Sequence, residues 1–250
     1  MRPASNKIIC VGRNYAKHCL ELGNELPKRP LLFLKPPSSV VFPPNPVVLP
    51  ADIGEIHHEV ELVAVIGKGG KDIPEHESMS HVSGFTLALD LTARDLQAVE
   101  KKKGNPWTLA KMQDGFLPIS DRLIGKEEID LDDARLCLHV MHRGESGWTA
   151  TPRQDGNVND MIFKLPCLIS YISSLFTLSE GDLILTGTPS GVGPILPGDK
   201  LKASIRLRGG GRVFEETFEF STETRTPAPG VAAFPVAISQ KPPSGAAARL

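Results

Sequence analysis

An α+β, strand-rich fold is predicted for this chain by three observations. Its apolar runs are short. Glycine and proline are frequent, at 23 and 22 of 250 residues. Its strand-like segments outnumber the helical ones and do not alternate strictly with them. Abundant turn residues between short runs favour many strands over a helix bundle, and the missing alternation argues against a doubly wound parallel sheet. The chain is long enough for one large domain or two small ones. With 40% hydrophobic and 23% charged residues the composition is ordinary globular, and the formal net charge is -1. Nucleic-acid and membrane-surface proteins are usually more basic, so neither partner is expected. The one basic run, Lys101-Lys102-Lys103, fits a solvated helix end.

In chain order, "KIICVG" and "LLFLK" read as strands, and so do "HEVELVAVIG", "GFTLALD", "ARLCLHVMHRG" and "DLILTGT". "RNYAKHCLELG" reads as a helix with Asn14 as N-cap and Gly23 as its stop. "TARDLQAVEKKKG" reads as a second helix, opened by a Thr92/Asp95 capping box and closed by lysines and Gly104. "NDMIFKLPCLISYISSLF" has helical periodicity, which Pro166 breaks or kinks. "WTLAK" is strand-like and ends in Lys111. "VIGKGGK" and "RLRGGGRV" read as hairpin turns. From Ser221 onward the chain turns rich in proline and alanine, which predicts a body at 1–220 and a disordered tail at 221–250. Cys10, Cys19, Cys137 and Cys167 have no short pair spacing, so neither a zinc site nor a disulfide framework is expected.

The chemistry begins with "EIHHEVELVAVIG". Side chains i and i+2 of a strand share a face, so Glu59 and Glu61 point the same way. Two like charges side by side disturb each other's ionisation, and a cation removes that conflict. Asp90, closing the apolar "FTLALD" just before a helix, can complete an oxygen-only site of the kind that selects Mg²⁺, Mn²⁺ or Ca²⁺. The alternative is a pair of exposed glutamates matched by lysines on a strand edge. His57 and His58 are adjacent and face opposite ways on a strand, so a surface or supporting role suits each better than shared zinc ligation.

"HHEVEL", "LALDLTARDLQ", "KKKGNPWTLAK" and "EGDLILTGTPSGVGP", in this order and spacing, resemble the fumarylacetoacetate hydrolase superfamily. "VGRNYAKH" is similar to its acylpyruvase and oxaloacetate decarboxylase branch. The resemblance runs from Lys7 to Ala203. It implies a twisted, mixed β-roll with a few peripheral helices, and a homodimer. It implies Mg²⁺, with Mn²⁺ able to substitute, held by Glu59, Glu61 and Asp90. The substrates it implies are short 2-oxo acids bearing a second carbonyl or carboxylate. Such acids chelate a divalent ion, which acts as a Lewis acid on the enolate left when the bond beyond C3 breaks. Acylpyruvate hydrolysis and oxaloacetate decarboxylation share that demand. A keto-enol tautomerase on the same site and a non-catalytic dimeric binding protein are the alternatives.

Hydrolysis also needs an activated water. His18 and Glu21 share a helix face, and a glutamate beside a histidine suits a general base; a plain surface ion pair is the alternative. The resemblance places this pair on a lid segment, about 12–24, over the metal. Arg94 and Gln97 share a face of the helix after Asp90 and are expected at the substrate, where the guanidinium fork suits a carboxylate; a solvent-facing pair is the alternative. By resemblance Lys111 stabilises developing negative charge, whereas a lone strand-end lysine is usually solvated. "TGTPSGVG" lacks the Gly-Lys-Ser/Thr of a nucleotide loop. It reads as a tight turn whose amides, with Thr188, receive a substrate carboxylate. "KMQDGF" departs from the family at Met112 and Gln113, which bears on substrate preference.

The terminal Ala248-Arg249-Leu250 resembles a peroxisomal address, so the expected location is cytoplasmic or peroxisomal. The family's mitochondrial members suggest the competing one. The N-terminal "MRPASNK" has no apolar core for a secretory signal and is short for a mitochondrial presequence.

Overall fold

The computed structural model describes residues 7–50, 53–206 and 214–221. Two five-stranded sheets face each other across the main core. The first runs β2-β1-β12-β6-β7, with β1 at Ile8–Gly12, β2 at Leu31–Lys35, β6 at Val60–Ile66, β7 at Val82–Leu89 and β12 at Leu183–Leu185. β1 and β12 are parallel, and the other neighbours are antiparallel. The second runs β11-β10-β14-β15-β4, with β4 at Val47–Val48, β10 at Arg135–Met141, β11 at Gln154–Asn157, β14 at Lys200–Arg206 and β15 at Phe214–Ser221. A three-stranded sheet joins β5 (Ile56–His58) to β8 (Thr92–Ala93) and β13 (Gly193–Pro194), and β3 (Val40–Val41) pairs with β9 (Leu117–Pro118). Four helices are peripheral: α1 (Ala16–Glu21), α2 (Arg94–Lys103), α3 (Thr108–Lys111) and α4 (Leu165–Leu175). The α+β, strand-rich prediction stands.

The period-2 alternation of the first sheet gives it two buried faces. Ile9, Val11, Leu62, Ala64, Ile66, Phe85, Leu87, Leu89 and Ile184 face the main core, where they meet Leu136, Leu138, Val140, Leu201, Ala203 and Ile205 of the second sheet. Ile8, Cys10, Val63, Val65, Ala88, Leu183 and Leu185 face a smaller cluster with Leu117 and Ile119. Glu61 lies on this second face of β6, at the end of the apolar row.

Several local expectations are corrected. "HEVELVAVIG" is two strands, β5 and β6, separated by Glu59, whose carbonyl accepts the Asp90 N–H at 2.9 Å. Asn14 does not cap α1; Tyr15 stands at that position without a side-chain cap bond. The Asn14 amide is needed elsewhere, donating to the carbonyls of Thr186 (2.8 Å) and Phe163 (3.0 Å). Gly23 does end the helix region, with φ +62°. The Thr92/Asp95 capping box does not form, because Thr92 belongs to β8 and Asp95 accepts the N–H of Glu55 at 3.0 Å. Gly104 closes α2 in the left-handed region as expected (φ 73°). Pro166 opens α4 instead of kinking a longer helix, since a proline in the first turn has no N–H to lose there. "WTLAK" is helical: the Trp107 carbonyl takes the N–H groups of both Ala110 and Lys111 at 3.0 Å. The four cysteines are free thiols. The segment "RLRGGGRV", read as a hairpin turn, lies outside the described residues apart from Arg206, and β14 and β15 on either side of it pair antiparallel; Ser221, read as the first tail residue, ends β15, and the rest of the tail lies outside the described residues. Among the described residues no helix is long and apolar enough to cross a membrane.

Candidate metal centre

The break at Glu59, the second face of β6 and the end of β7 bring three acids together. Glu59, Glu61 and Asp90 are buried, each offering an oxygen within 4.8 Å of the others. The edge-strand alternative is therefore excluded. Lysines do surround the acids, but inside the protein. Lys111 donates to Glu59 Oε2 (3.0 Å) and Asp90 Oδ2 (2.6 Å). Arg94 donates to Glu59 Oε1 at 2.5 Å, and the Thr92 hydroxyl donates to the same oxygen at 3.2 Å. Glu61 takes the Gly187 N–H at 2.7 Å.

These contacts divide the two glutamates. Burial alone would raise the Glu59 pKa, but the cations of Lys111 and Arg94 outweigh it and hold the group well below the usual carboxylate range. For Glu61, burial comes first and the charges of Asp90 and Glu59 add to it, so its pKa stands well above that range. Lys111 is raised: burial works against its charge, yet Asp90 and Glu59 more than compensate.

The donor set fits a hard divalent cation: three carboxylate oxygens close together and no sulfur. Asp90 Oδ1 adds a specific sign. It is buried and accepts no hydrogen bond, even though the Lys35 ammonium lies 2.9 Å away. The Lys35 hydrogens go to the carbonyls of Leu91 (3.2 Å), Lys111 (2.5 Å) and Phe116 (2.9 Å), so its contact with Asp90 is electrostatic and leaves a lone pair open.

The other predicted residues are found as follows. His18 is buried on α1 and lies close enough to Glu59 to influence its ionisation. Its Nδ1 is 3.3 Å from Glu21 Oε2. The Glu21 carboxylate also takes the Gly191 N–H at 3.0 and 3.2 Å, tying α1 to the "TGTPSGVG" loop. Gln97 is near the site but its amide oxygen is committed to Arg94 at 2.7 Å. Thr188 is buried, and its hydroxyl donates to the Val60 carbonyl (2.8 Å) while accepting from Gln154 Nε2 (2.8 Å). That hydroxyl has no hydrogen left for a substrate. Lys111 sits in a one-turn helix and is 2% exposed, so it is not a solvated strand end.

Two participants escaped the sequence reading. Lys35 closes the strand "LLFLK", and a charged residue ending an apolar strand was the available signal. Gln154, from the second sheet, carried none. Its amide oxygen accepts from His58 Nδ1 (2.9 Å) and the Val60 N–H (3.0 Å), and its nitrogen donates to Thr188 and the Pro189 carbonyl. His58 is thus a buried support, not a surface residue, and burial lowers its pKa to about 4.

The fumarylacetoacetate (FAA) hydrolase C-terminal family matches residues 7–217. The chain belongs to this family. Among curated relatives of this FAA hydrolase family member, the mitochondrial oxaloacetate tautomerase FAHD1 of Arabidopsis thaliana is 52% identical over 199 residues, covering 80% of this chain and 86% of that protein. The mitochondrial oxaloacetate decarboxylase of Dictyostelium discoideum is 51% identical over 201 residues, covering 80% and 88%. A crystal structure of fumarylpyruvate hydrolase from Pseudomonas aeruginosa, in complex with Mn²⁺ and pyruvate, aligns with TM-score 0.77 at 34% identity, over 88% of this chain and 91% of that one.

Proposed function

We propose that this FAA hydrolase family member uses Mg²⁺, or Mn²⁺, to cleave a C–C bond in short 2-oxo acids, by acylpyruvate hydrolysis, oxaloacetate decarboxylation or both. The observation that carries this reading is the convergence of Glu59, Glu61 and Asp90, with His18 within electrostatic reach of Glu59. The relative solved with Mn²⁺ and pyruvate supports it. Glu59, Glu61 and Asp90 would hold the divalent ion, which would supply Lewis acidity to a 2-oxo group. Lys111 adds positive charge on the same side, where electron density accumulates as the bond breaks. Arg94, anchored on Glu59 and Gln97, presents its guanidinium at the edge of the acids for a substrate carboxylate. The Thr188 side chain is spent within the protein, so the loop acts through its backbone N–H groups. In hydrolysis, Glu21 accepts the His18 Nδ1 hydrogen, which leaves Nε2 as the base that takes a proton from water. Decarboxylation releases CO₂ without that water.

A second reading is keto-enol tautomerisation of oxaloacetate, favoured by the names of relatives about half identical to this chain. It needs proton transfer at C3 and no bond cleavage. A mitochondrial setting is supported by the same relatives over the cytoplasmic or peroxisomal one. A homodimer is part of the proposal and is read by light scattering.

The deciding experiment is a panel of acetylpyruvate, fumarylpyruvate and oxaloacetate, each with Mg²⁺ and with EDTA. Pyruvate release reports cleavage, and loss of enol absorbance without pyruvate reports tautomerisation. Turnover that persists undiminished in EDTA, or no turnover of any of the three, refutes the proposal.

A further inference from the structure

We propose that Lys35 is a positioning residue that sets the charge of the metal centre, balancing the site so that with a divalent cation bound it favours a doubly charged substrate. This rests on the function proposed above for the substrate arm only.

Lys35 is 2% exposed and lies at the end of β2, behind Asp90 as seen from Lys111. Its ammonium reaches three carbonyls from separate segments: Leu91 just past Asp90, Lys111 at the end of α3, and Phe116 before β9. With each hydrogen donated, the side chain cannot swing away, so the positive charge is fixed. Burying an ammonium is costly; a neutral donor would satisfy carbonyls alone, whereas the Lys35 charge also lies 2.9 Å from Asp90 Oδ1. The position therefore makes sense for its charge.

The charged groups at the centre are three buried acids, Glu59, Glu61 and Asp90, and three cations, the buried Lys35 and Lys111 and the half-buried Arg94. His18 and Glu21 pair outside this set, and their charge is the same in every Lys35 variant. With every acid of the set ionised the six groups together are neutral, so a divalent ion leaves them doubly positive. That matches a 2-oxo dicarboxylate, with two charges, better than a singly charged acylpyruvate. Without Lys35 the protein part carries one more negative charge. It then attracts the cation more strongly and the dianion less.

The test uses the full chain stripped of metal, with Lys35→Met, Lys35→Gln (neutral, but still a donor to the carbonyls) and Lys35→Arg (charge kept). Mn²⁺ affinity is read from the spin-resonance signal of free Mn²⁺, without substrate. Both neutral variants are expected to bind Mn²⁺ about tenfold or more tightly, and Lys35→Arg within about threefold of the parent. The ratio of kcat/KM for oxaloacetate to that for acetylpyruvate is expected to drop by about tenfold or more in the neutral variants. A residue that merely holds the fold would instead weaken Mn²⁺ binding when removed. Folded neutral variants with equal or weaker Mn²⁺ affinity, an unchanged substrate ratio, or loss of the fold in both overturns the proposal. If the parent processes neither acid, the function reading fails while the Mn²⁺ measurement still decides the role of Lys35.

Discussion

Replacing Glu61 by glutamine tests the metal centre most directly. Two ionised carboxylates at the 4.8 Å limit of this site repel by about 3 kcal/mol at an effective dielectric constant near 20. Three ionised acids would therefore strain the fold, and burial together with the charges of Asp90 and Glu59 raises the Glu61 pKa, which favours its protonated form when no metal is bound. Glu61→Gln mimics the protonated group in shape and charge and still offers an oxygen to the Gly187 N–H. Metal-free stability should thus change by less than about 1 kcal/mol. The parent protein behaves differently once metal is added. At a concentration one hundred times Kd, binding stabilises by about 2.7 kcal/mol, which for a body of this size raises Tm by about 5–11 °C. The variant should lose nearly all of that rise. Differential scanning calorimetry with and without MnCl₂ is the assay. A Glu61→Gln protein that keeps the full metal-dependent rise would refute the assignment of the triad.

Further expectations concern neighbouring groups. His18→Ala should lower hydrolytic kcat by about a hundredfold or more while Mn²⁺ affinity, measured by titration calorimetry, stays within about threefold; complete loss of metal binding would contradict its place above the acids. Because the raised Glu61 pKa favours the protonated form without metal and binding needs the ionised one, metal uptake should release a proton. Apparent affinity should weaken as pH falls below the raised Glu61 pKa, approaching about tenfold per pH unit, and calorimetry in buffers of different ionisation enthalpy counts the proton. Gln154→Leu strands the buried Val60 N–H and the His58 ring, so urea denaturation should show a loss of about 2–4 kcal/mol. Gly187→Ala should also destabilise measurably, because φ is +96° there and an added Cβ would lie 2.8 Å from that of Asn14.

The strands and the acids were readable because both obey short-range rules. Period-2 alternation carries Glu61 to the second face of β6, and Asp90 follows an apolar run that could only be a strand. Helical spacing put His18 and Glu21 on one face, as found at 3.3 Å, but left a surface ion pair open; only the family resemblance pointed them toward the acids. Capping was not, since Asn14 and Thr92 have the right chemistry for a helix start but are drawn into tertiary hydrogen bonds with Thr186, Phe163 and Glu59. The Lys111 helix was missed for a related reason: Trp and Thr favour strands locally, and the Trp107 carbonyl overrides that preference with two bonds. Lys35 and Gln154 act across 55 and 34 residues, on Asp90 and Thr188 respectively, and no local pattern encodes a partner at that distance.

The two-faced burial of β6 has a consequence for how the protein reaches its native state. A slip of one residue against β7 or β12 would turn Glu61 into the main core and push Leu62 toward Lys111 and Asp90. A misaligned chain would bury a carboxyl among leucines and leave ammonium groups facing a hydrocarbon, so it has no stable resting place. The acids proposed to hold the ion thus also proofread the sheet, and substitutions that neutralise them should widen the range of pairings the chain samples as it folds.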